Sequence, residues 1–151
     1  MKKNRTIGLI CSPGGHWVEV LQLKEAFEDY SVFVLTYREK ATADQKGAYY
    51  ISNFAKNPFT LIAGIFKILS IFLKERPSVL FSTGAEIAIP SFYIGKFLFR
   101  TRLIYLECSA QVYRPSLTGR WVYPLTDLFL VQWESLLSRY GPKAKYVGGL
   151  I

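Results

Sequence analysis

Short apolar runs of strand length recur along the chain and alternate with stretches of helical spacing. The runs lie at residues 6–11, 31–37, 49–52, 78–82, 103–107 and 128–132. Several are apolar on consecutive residues, as expected for strands that are buried on both faces of a sheet. Helices are predicted at residues 16–27, 59–74, 87–99, 119–125 and 134–140. This alternation predicts an α/β fold with one Rossmann-like, doubly wound parallel sheet and right-handed crossovers.

The length of 151 residues predicts a single domain, 1–151, with room for a substantial core. Half of the residues are hydrophobic and 20% are charged, which excludes a disordered chain and leaves apolar surface for a partner or a lipid. The apolar stretch near the amino terminus is too short for a signal peptide. Cys11 and Cys108 are therefore expected to be reduced thiols in a cytoplasmic protein.

The formal net charge of +8 favours anionic partners, namely nucleic acid, an anionic membrane surface or a phosphorylated substrate. Between residues 56 and 120 there are nine basic and three acidic residues, in the same part of the chain as the most apolar segments. Basic residues interspersed with Ile, Leu and Phe are more typical of proteins on an anionic bilayer than of nucleic-acid binders. We therefore predict a membrane surface and no nucleic acid as a partner.

Ligands of doubly wound sheets bind at the carboxyl ends of the strands, so the loops that follow strands are the candidate sites. Three such loops carry small and polar residues: "CSPGGH", "STGAEIAIP" and "ECSAQVYRPSLTGR". In the first, Gly14 and Gly15 permit a tight turn and a close backbone approach, and the free amides of the next helix favour an anion. The pattern is not G-x-G-x-x-G, and no acidic residue ends the second strand, which disfavours a nicotinamide cofactor.

His16 is the chain's only histidine and directly follows the glycine pair. One interpretation is a histidine that caps the helix or is simply exposed. In the other, the helix amino terminus keeps the imidazole neutral near pH 7, so that it accepts a proton or hydrogen-bonds a sugar hydroxyl. Glu19 lies one turn further on, where it either orients His16 or is an ordinary acidic residue of the first helical turn.

The second loop offers either another cluster of anion-binding amides or a tight turn capped by Ser82 or Thr83. In the third loop, Glu107 ends a strand, and Arg114 and Arg120 are donors suited to phosphate. The alternative for the third loop is an ordinary solvated connection. No metal-ligand spacing and no G-x-S-x-G elbow is present, so neither a metal site nor a serine triad is predicted.

The predicted helix from residue 59 carries two apolar stripes. Phe59, Ile62, Phe66, Leu69 and Leu73 form the stripe expected to face the core. The second stripe contains Leu61, Ile65, Ile68 and Phe72. Lys67, Lys74 and their charged neighbours argue against a spanning helix. One alternative is a helix sandwiched within the fold, but we favour a membrane-contact face formed by Ile65, Lys67, Ile68, Phe72 and Lys74.

Four segments together resemble a known family: "SPGGHWVEVLQL", "RPSVLFSTGAEIAIPSFYIGK", "RLIYLECSAQVYRPSLTGRWVYPLTDLFLVQWESL" and "AKYVGGLI". The chain is similar to the PssD/CpsF-type subunits of bacterial capsular and exopolysaccharide glycosyltransferases. Their eukaryotic relative is the membrane-anchoring subunit of the enzyme that adds the second GlcNAc to dolichol-linked oligosaccharide. More distantly, the chain resembles the amino-terminal half of MurG, a GT-B glycosyltransferase.

The resemblance implies a division of labour between two Rossmann-like domains. This chain corresponds to the acceptor-binding half and is expected to bind no cofactor, while a separate PssE/CpsG-like subunit would bind the UDP-sugar. Together they would transfer a sugar to an undecaprenyl-diphosphate-linked saccharide at the cytoplasmic face of the plasma membrane. The sequence stops at "VGGLI", where a fused enzyme would enter its second domain. The eukaryotic relatives' amino-terminal anchor has no counterpart here, so peripheral attachment is expected.

The resemblance also implies roles for individual residues. His16 and Glu107 are the catalytic candidates, with Glu19 or a residue of the partner as alternative general bases. The residues expected at the acceptor are Gly14, Gly15, Glu19, Thr83, Gly84, Ala85, Arg114 and Arg120. Those expected at the partner subunit are Val147, Gly148, Gly149, Leu150 and Ile151. The competing hypothesis is a non-catalytic scaffold that recruits and activates a partner transferase at the membrane.

Overall fold

The computed structural model describes residues 3–40, 42–43, 45–54 and 57–150. Its strands are β1 (Lys3–Ile10), β2 (Tyr30–Tyr37), β3 (Ala48–Ile51), β4 (Val79–Ser82), β5 (Arg102–Leu106), β6 (Leu128–Val131) and β7 (Ala144–Tyr146). Its α-helices are α1 (Gly15–Gln22), α2 (Pro58–Glu75), α3 (Ala88–Phe99), α4 (Leu117–Val122) and α5 (Leu137–Tyr140). The predicted α/β fold is confirmed, and β7 is added because its three residues form no apolar run.

The seven strands form one sheet in the order β3-β2-β1-β4-β5-β6-β7, and every neighbouring pair is parallel. The chain first runs outward from β1 to β3 and then crosses back to β4 on the other side of β1. The winding direction therefore reverses between β1 and β4, which is where ligands of such sheets bind.

The two faces of the sheet are covered unequally. On one face, helices α2 to α5 bury a large core that includes Phe72, Phe92 and Phe129. On the other face, Trp17 and Val20 of α1 and the 3₁₀ turn Lys24–Phe27 pack over a smaller cluster. Most of the apolar burial that stabilises the fold therefore lies on the α2 to α5 face.

Helix α2 has well-defined ends. The Asn57 side chain accepts a 2.9 Å hydrogen bond from the amide of Thr60, and Pro58 occupies the first helical position. The helix ends at Arg76, which adopts a left-handed conformation with φ of 46°. Among the described residues, no helix has both the length and the hydropathy needed to cross a bilayer.

Helix α2 does not face the sheet with the apolar stripe that was predicted to face the core. Ile68 and Phe72 are fully buried, so their predicted membrane contact is wrong. Gly64 lies on the same buried stripe and packs against the Phe54 ring, where a Cβ atom would come within 2.2 Å. This close approach turns the glycine side of α2 toward the sheet. The side chains left exposed belong mainly to the other stripe: Phe59, Ile62, Phe66 and Leu73.

The remaining residues of the predicted membrane face lie at the surface. Ile65 is partly exposed, and Lys67 and Lys74 are exposed on α2. The Lys74 ammonium lies 5.2 Å from the centre of the Tyr49 ring, an arrangement typical of a cation–π contact. The apolar surface of α2 is therefore flanked by lysines, as predicted, but it is made of different apolar residues.

Candidate functional site

The loops that follow β1 and β4 begin side by side. Ile10, the last residue of β1, pairs with Ser82, the last residue of β4. Because the sheet reverses its winding direction between these strands, the two loops line the crevice at its carboxyl edge. The sequence-predicted site residues at 14–19 and 83–85 therefore converge on one place.

The first loop presents free backbone amides next to open space. Gly14 precedes α1 with φ of 91°, a conformation that favours glycine, and no side chain caps the helix. A Cβ atom added at Gly14 or Gly15 would meet none of the other described residues' atoms within 4 Å. The first amides of α1 are thus accessible donors at the positive end of the helix dipole, which is the arrangement that binds anions.

The second loop holds the His16 ring and backbone in place. Gly84 has φ of 128°, and a Cβ atom there would lie 2.6 Å from Cε1 of His16. The Thr83 hydroxyl donates a 2.9 Å hydrogen bond to the His16 carbonyl. Ala85 adopts φ of 75°, which is strained for a residue with a side chain. Thr83 is fully buried, so it positions His16 and does not face the acceptor as predicted.

A thiol, an imidazole and a carboxylate meet beneath these loops. One ligand-type atom from each of His16, Glu19 and Cys108 lies within 4.8 Å of the others. His16 Nδ1 is 3.8 Å from Glu19 Oε2. The other carboxylate oxygen of Glu19 accepts hydrogen bonds from the Ser109 amide, at 2.8 Å, and from Gln132 Nε2, at 3.0 Å. Glu19 is only 1% exposed and is therefore a positioning residue, not the predicted acceptor contact.

The electrostatics of this cluster favour a cationic imidazole. Burial lowers the pKa of His16, but the contacts with Cys108 and then with Glu19 outweigh this effect and raise it to about 10. Burial raises the pKa of Glu19, but the neighbouring His16 imidazole, and then the hydrogen bonds from Ser109 and Gln132, bring it below the usual value. The prediction of a neutral His16 is therefore wrong, because the contacts with Cys108 and Glu19 outweigh the burial of the ring.

Glu107 is fully buried and its oxygens are occupied. One oxygen accepts the Cys108 amide at 3.0 Å. The other accepts the Ser116 amide at 3.1 Å, the Ser116 hydroxyl at 2.9 Å and the Tyr140 hydroxyl. Gly119 packs so closely that a Cβ atom would lie 2.6 Å from this oxygen. We therefore revise the predicted catalytic role: Glu107 ties β5 to α4 and α5 and does not reach a substrate.

Arg114 and Arg120 are both exposed. Arg120 lines a separate surface depression of about 400 Å³, together with Arg139, Tyr123 and Tyr140. The structure therefore groups Arg120 with a second arginine instead of with the glycine loops. The role of Arg114 and Arg120 in binding the acceptor stays a prediction.

The carboxyl-terminal segment lies beside the cluster. The Leu150 amide donates a 2.9 Å hydrogen bond to Oε1 of Gln132, the residue whose Nε2 contacts Glu19. Leu150 also packs against the smaller core cluster. Residues 147–149 are exposed, and Ile151 lies outside the described residues. The partner-contact role of this segment stays a prediction, although Leu150 is already half-buried within this chain.

Sequence reasoning missed Cys108, Ser109 and Gln132 as members of the site. The available signal was positional, because all three follow strands at the carboxyl edge of the sheet. Their approach to Glu19 depends on contacts across 90 and 113 residues, which local spacing does not reveal.

Comparison with solved structures identifies the fold. MurG from Acinetobacter baumannii superimposes with a TM-score of 0.76 and 14% identity, over 96% of this chain and 45% of MurG. A UDP-N-acetylglucosamine 2-epimerase from Rickettsia bellii gives a TM-score of 0.75 at 10% identity, over 97% of this chain and 45% of the epimerase. At these identities the likeness shows a shared Rossmann-like architecture.

Sequence comparison identifies a narrower group of relatives than the comparison of structures does. The UDP-N-acetylglucosamine transferase subunit ALG14 of Candida albicans is 37% identical over 111 residues, covering 70% of this chain and 48% of the relative. The protein of the same name in Saccharomyces cerevisiae is 25% identical, covering 99% of this chain and 78% of the relative. The chain thus spans about half the length of the Candida albicans protein.

The family model "Oligosaccharide biosynthesis protein Alg14 like" matches residues 49–150. This match covers about two thirds of the chain, including the second loop, Cys108, Gln132 and the carboxyl-terminal segment. On this evidence, the chain belongs to the Alg14-like family of oligosaccharide biosynthesis proteins.

Proposed function

We propose that this chain is the acceptor-binding, membrane-associating subunit of a two-subunit glycosyltransferase that uses a UDP-sugar. Its acceptor would be a saccharide carried on a polyprenyl diphosphate. The names of its relatives, UDP-N-acetylglucosamine transferase subunits, support this class of reaction and make UDP-GlcNAc the first donor to test.

The observation that carries the proposal is the meeting of the two loops around His16. The free amides of α1 and a cationic imidazole lie together at the crevice. Both are donors to an anion, so the site suits the diphosphate of a lipid-linked acceptor. The open space next to Gly14 and Gly15 leaves room for that group to reach the backbone.

We assign donor binding to a partner chain of the PssE/CpsG type, in keeping with the predicted division of labour. The UDP-sugar would be bound by that subunit and not by this chain. Val147, Gly148 and Gly149 are exposed next to the site and are our candidates for the contact with the partner.

The finer assignment concerns the pathway and the location. We propose undecaprenyl diphosphate as the carrier and capsular or exopolysaccharide as the product, on the motif resemblance described above. The chain would lie peripherally on the cytoplasmic face of the plasma membrane. The exposed apolar side of α2, flanked by Lys67 and Lys74, supports contact with an anionic lipid surface.

A second candidate function is a scaffold that recruits and activates the partner without supplying a catalytic group. The saturated hydrogen bonds of Glu107 and the raised pKa of His16 favour it, because neither residue is then a free base near pH 7. Under this alternative the general base belongs to the partner, and His16 serves only to bind the acceptor.

The deciding experiment is a transfer assay in membranes with radiolabelled UDP-GlcNAc, UDP-glucose, UDP-galactose or UDP-glucuronate and a lipid-linked acceptor. It compares this chain alone, the partner alone and both together. Activity that requires both chains supports the split enzyme, and its loss in His16→Ala supports a role in the site. Full activity of the partner alone would overturn the proposal.

A further inference from the structure

Two buried polar atoms of the site lie near each other and have no hydrogen-bond partner among the residues that the structure describes. They are Nδ1 of His16 and Oε2 of Glu19. Their separation of 3.8 Å is too long for a hydrogen bond. A buried carboxylate oxygen without a hydrogen-bond donor is destabilising, so this arrangement is suited to a metal cation that binds both atoms.

The third group at this point is the half-buried thiol of Cys108, on the loop that follows β5. Its sulfur lies within 4.8 Å of an imidazole nitrogen of His16 and of a carboxylate oxygen of Glu19. The cluster thus combines one nitrogen, one oxygen and one sulfur ligand from two separate parts of the chain. Mixed nitrogen, oxygen and sulfur ligation favours Zn²⁺ and similar transition metals over Mg²⁺ or Ca²⁺.

We propose that His16 Nδ1, Glu19 Oε2 and Cys108 Sγ bind one divalent transition-metal ion of the Zn²⁺ class, which displaces the protons of the imidazolium Nδ1 and of the thiol to solvent. With metal–ligand bonds of about 2.0 to 2.3 Å, the ligands of a tetrahedral ion lie about 3.3 to 3.8 Å apart. The nitrogen and oxygen atoms, 3.8 Å apart, would need to approach each other by about 0.3 to 0.5 Å to meet this requirement. A small inward movement of the Cys108 side chain completes the set, and a fourth position stays available for water or an anion.

The surrounding contacts hold the ligands in the required orientation. The Ser109 amide and Gln132 Nε2 both donate to Oε1 of Glu19, which leaves Oε2 directed at the cluster. Gly84 packs against the imidazole of His16 and limits its rotation. Hydrogen bonds to the outer side of a ligating carboxylate are typical of metal centres and tune their affinity.

The test is a titration of the full chain, purified in mild detergent and stripped with a chelator, with Co²⁺. We expect one Co²⁺ per chain and an intense near-ultraviolet band from thiolate-to-cobalt charge transfer. Zn²⁺ should displace Co²⁺ and abolish the band. This readout contains no sugar donor or acceptor, so it stands independently of the proposed transferase function.

Single-residue variants test which side chains bind the metal. Cys108→Ser should abolish the charge-transfer band, whereas Cys11→Ser should retain it, because Cys11 is fully buried away from the cluster. Gln132→Ala leaves all three ligands in place and should weaken binding by about 10- to 100-fold. Circular dichroism checks that each variant folds.

Two results would overturn the proposal. One is a folded wild-type chain that shows no cobalt–thiolate band and no stoichiometric Zn²⁺ binding; the cluster would then be an ion pair of His16 and Glu19 beside a free thiol. The other is a band that persists in Cys108→Ser and disappears in Cys11→Ser, which would place the metal at a different thiol.

Discussion

The hydroxyl of Thr83 donates a 2.9 Å hydrogen bond to the backbone carbonyl of His16, joining the loops after β1 and β4 across 67 residues. The bond fixes the start of α1 relative to the second loop, so the position of the imidazole depends on both loops. The two glycine-containing loops therefore act as one structural unit at the crevice.

Replacing Thr83 by valine should destabilise this unit. The variant keeps the shape of the side chain but leaves the His16 carbonyl without its donor, so the free energy of unfolding should fall by about 1 to 2 kcal/mol. Urea denaturation measures the change. Thr83→Ser keeps the hydroxyl and is the matched control; an equal loss of stability in both variants would show that the methyl group, not the hydrogen bond, matters.

Gly15→Ala should weaken acceptor binding without lowering the stability of the fold. The added methyl group meets no atom of the described residues within 4 Å, and alanine is the better helix former, so the melting temperature should be unchanged or higher. The same methyl group projects into the space assigned to the acceptor diphosphate, so the KM for the acceptor should rise. An unchanged KM would remove the first glycine loop from the acceptor site.

His16 should titrate near pH 10 in the metal-free protein. Because it is the chain's only histidine, one imidazole signal in an NMR titration reports it directly. Its folded pKa, about 10, lies above the ordinary value of 6.5. Its contribution to stability is therefore fully present below pH 6.5 and is lost as the pH rises toward 10.

Two comparisons check this titration. Cys108→Ser should lower the pKa of His16, because the thiol makes the largest of the contributions that raise it. The stability difference between wild type and His16→Gln should shrink as the pH rises toward 10. A pKa at or below 6.5 would instead restore the neutral imidazole expected from the helix dipole alone.

Glu107→Gln should act mainly on stability. An amide nitrogen in place of either oxygen would face an N–H or O–H donor, so the variant should lose at least about 2 kcal/mol of unfolding free energy. The control is Glu134→Gln, at an exposed position. If Glu107→Gln keeps wild-type stability and abolishes transfer, Glu107 is catalytic after all.

The exposed side of α2 should determine vesicle binding. Ile62→Ser combined with Phe66→Ser removes two large exposed apolar side chains and should weaken binding to anionic vesicles by about tenfold, without loss of stability. Leu21→Ser, on the exposed side of α1, is the control. Co-sedimentation with anionic and neutral vesicles measures the effect, and equal binding by the double variant would exclude α2 as the contact.

The fold and the place of the site were predictable because they depend on local patterns. Consecutive apolar runs mark buried parallel strands, and the positions of Gly14 and Gly84 after two such runs predict loops at one edge. The state of His16 was not predictable in the same way. It depends on Cys108, which is far away in sequence and reaches the imidazole only in the folded chain.

The orientation of α2 could not be predicted from the sequence for a different reason. Both of its stripes are apolar, so periodicity alone gives no preference between Phe66 and Phe72 as the core residue. The fit of Gly64 against Phe54 resolves the choice, and this contact lies outside the helix itself. The role of Glu107 could not be predicted from the sequence either. Its position after a strand is compatible with a catalytic acid and also with the buried acceptor of four hydrogen bonds that the structure shows.

The primary amide of Gln132 links the carboxyl-terminal segment to the site through a single planar group. Its nitrogen donates to Glu19 and its oxygen accepts from Leu150. Because the two atoms are rigidly joined, a displacement of the backbone at Leu150 also reorients the donor to Glu19. Docking of another protein on the last residues would thus be transmitted through two hydrogen bonds to the Glu19 carboxylate, 3.8 Å from the imidazole, so the geometry of the crevice would depend on assembly.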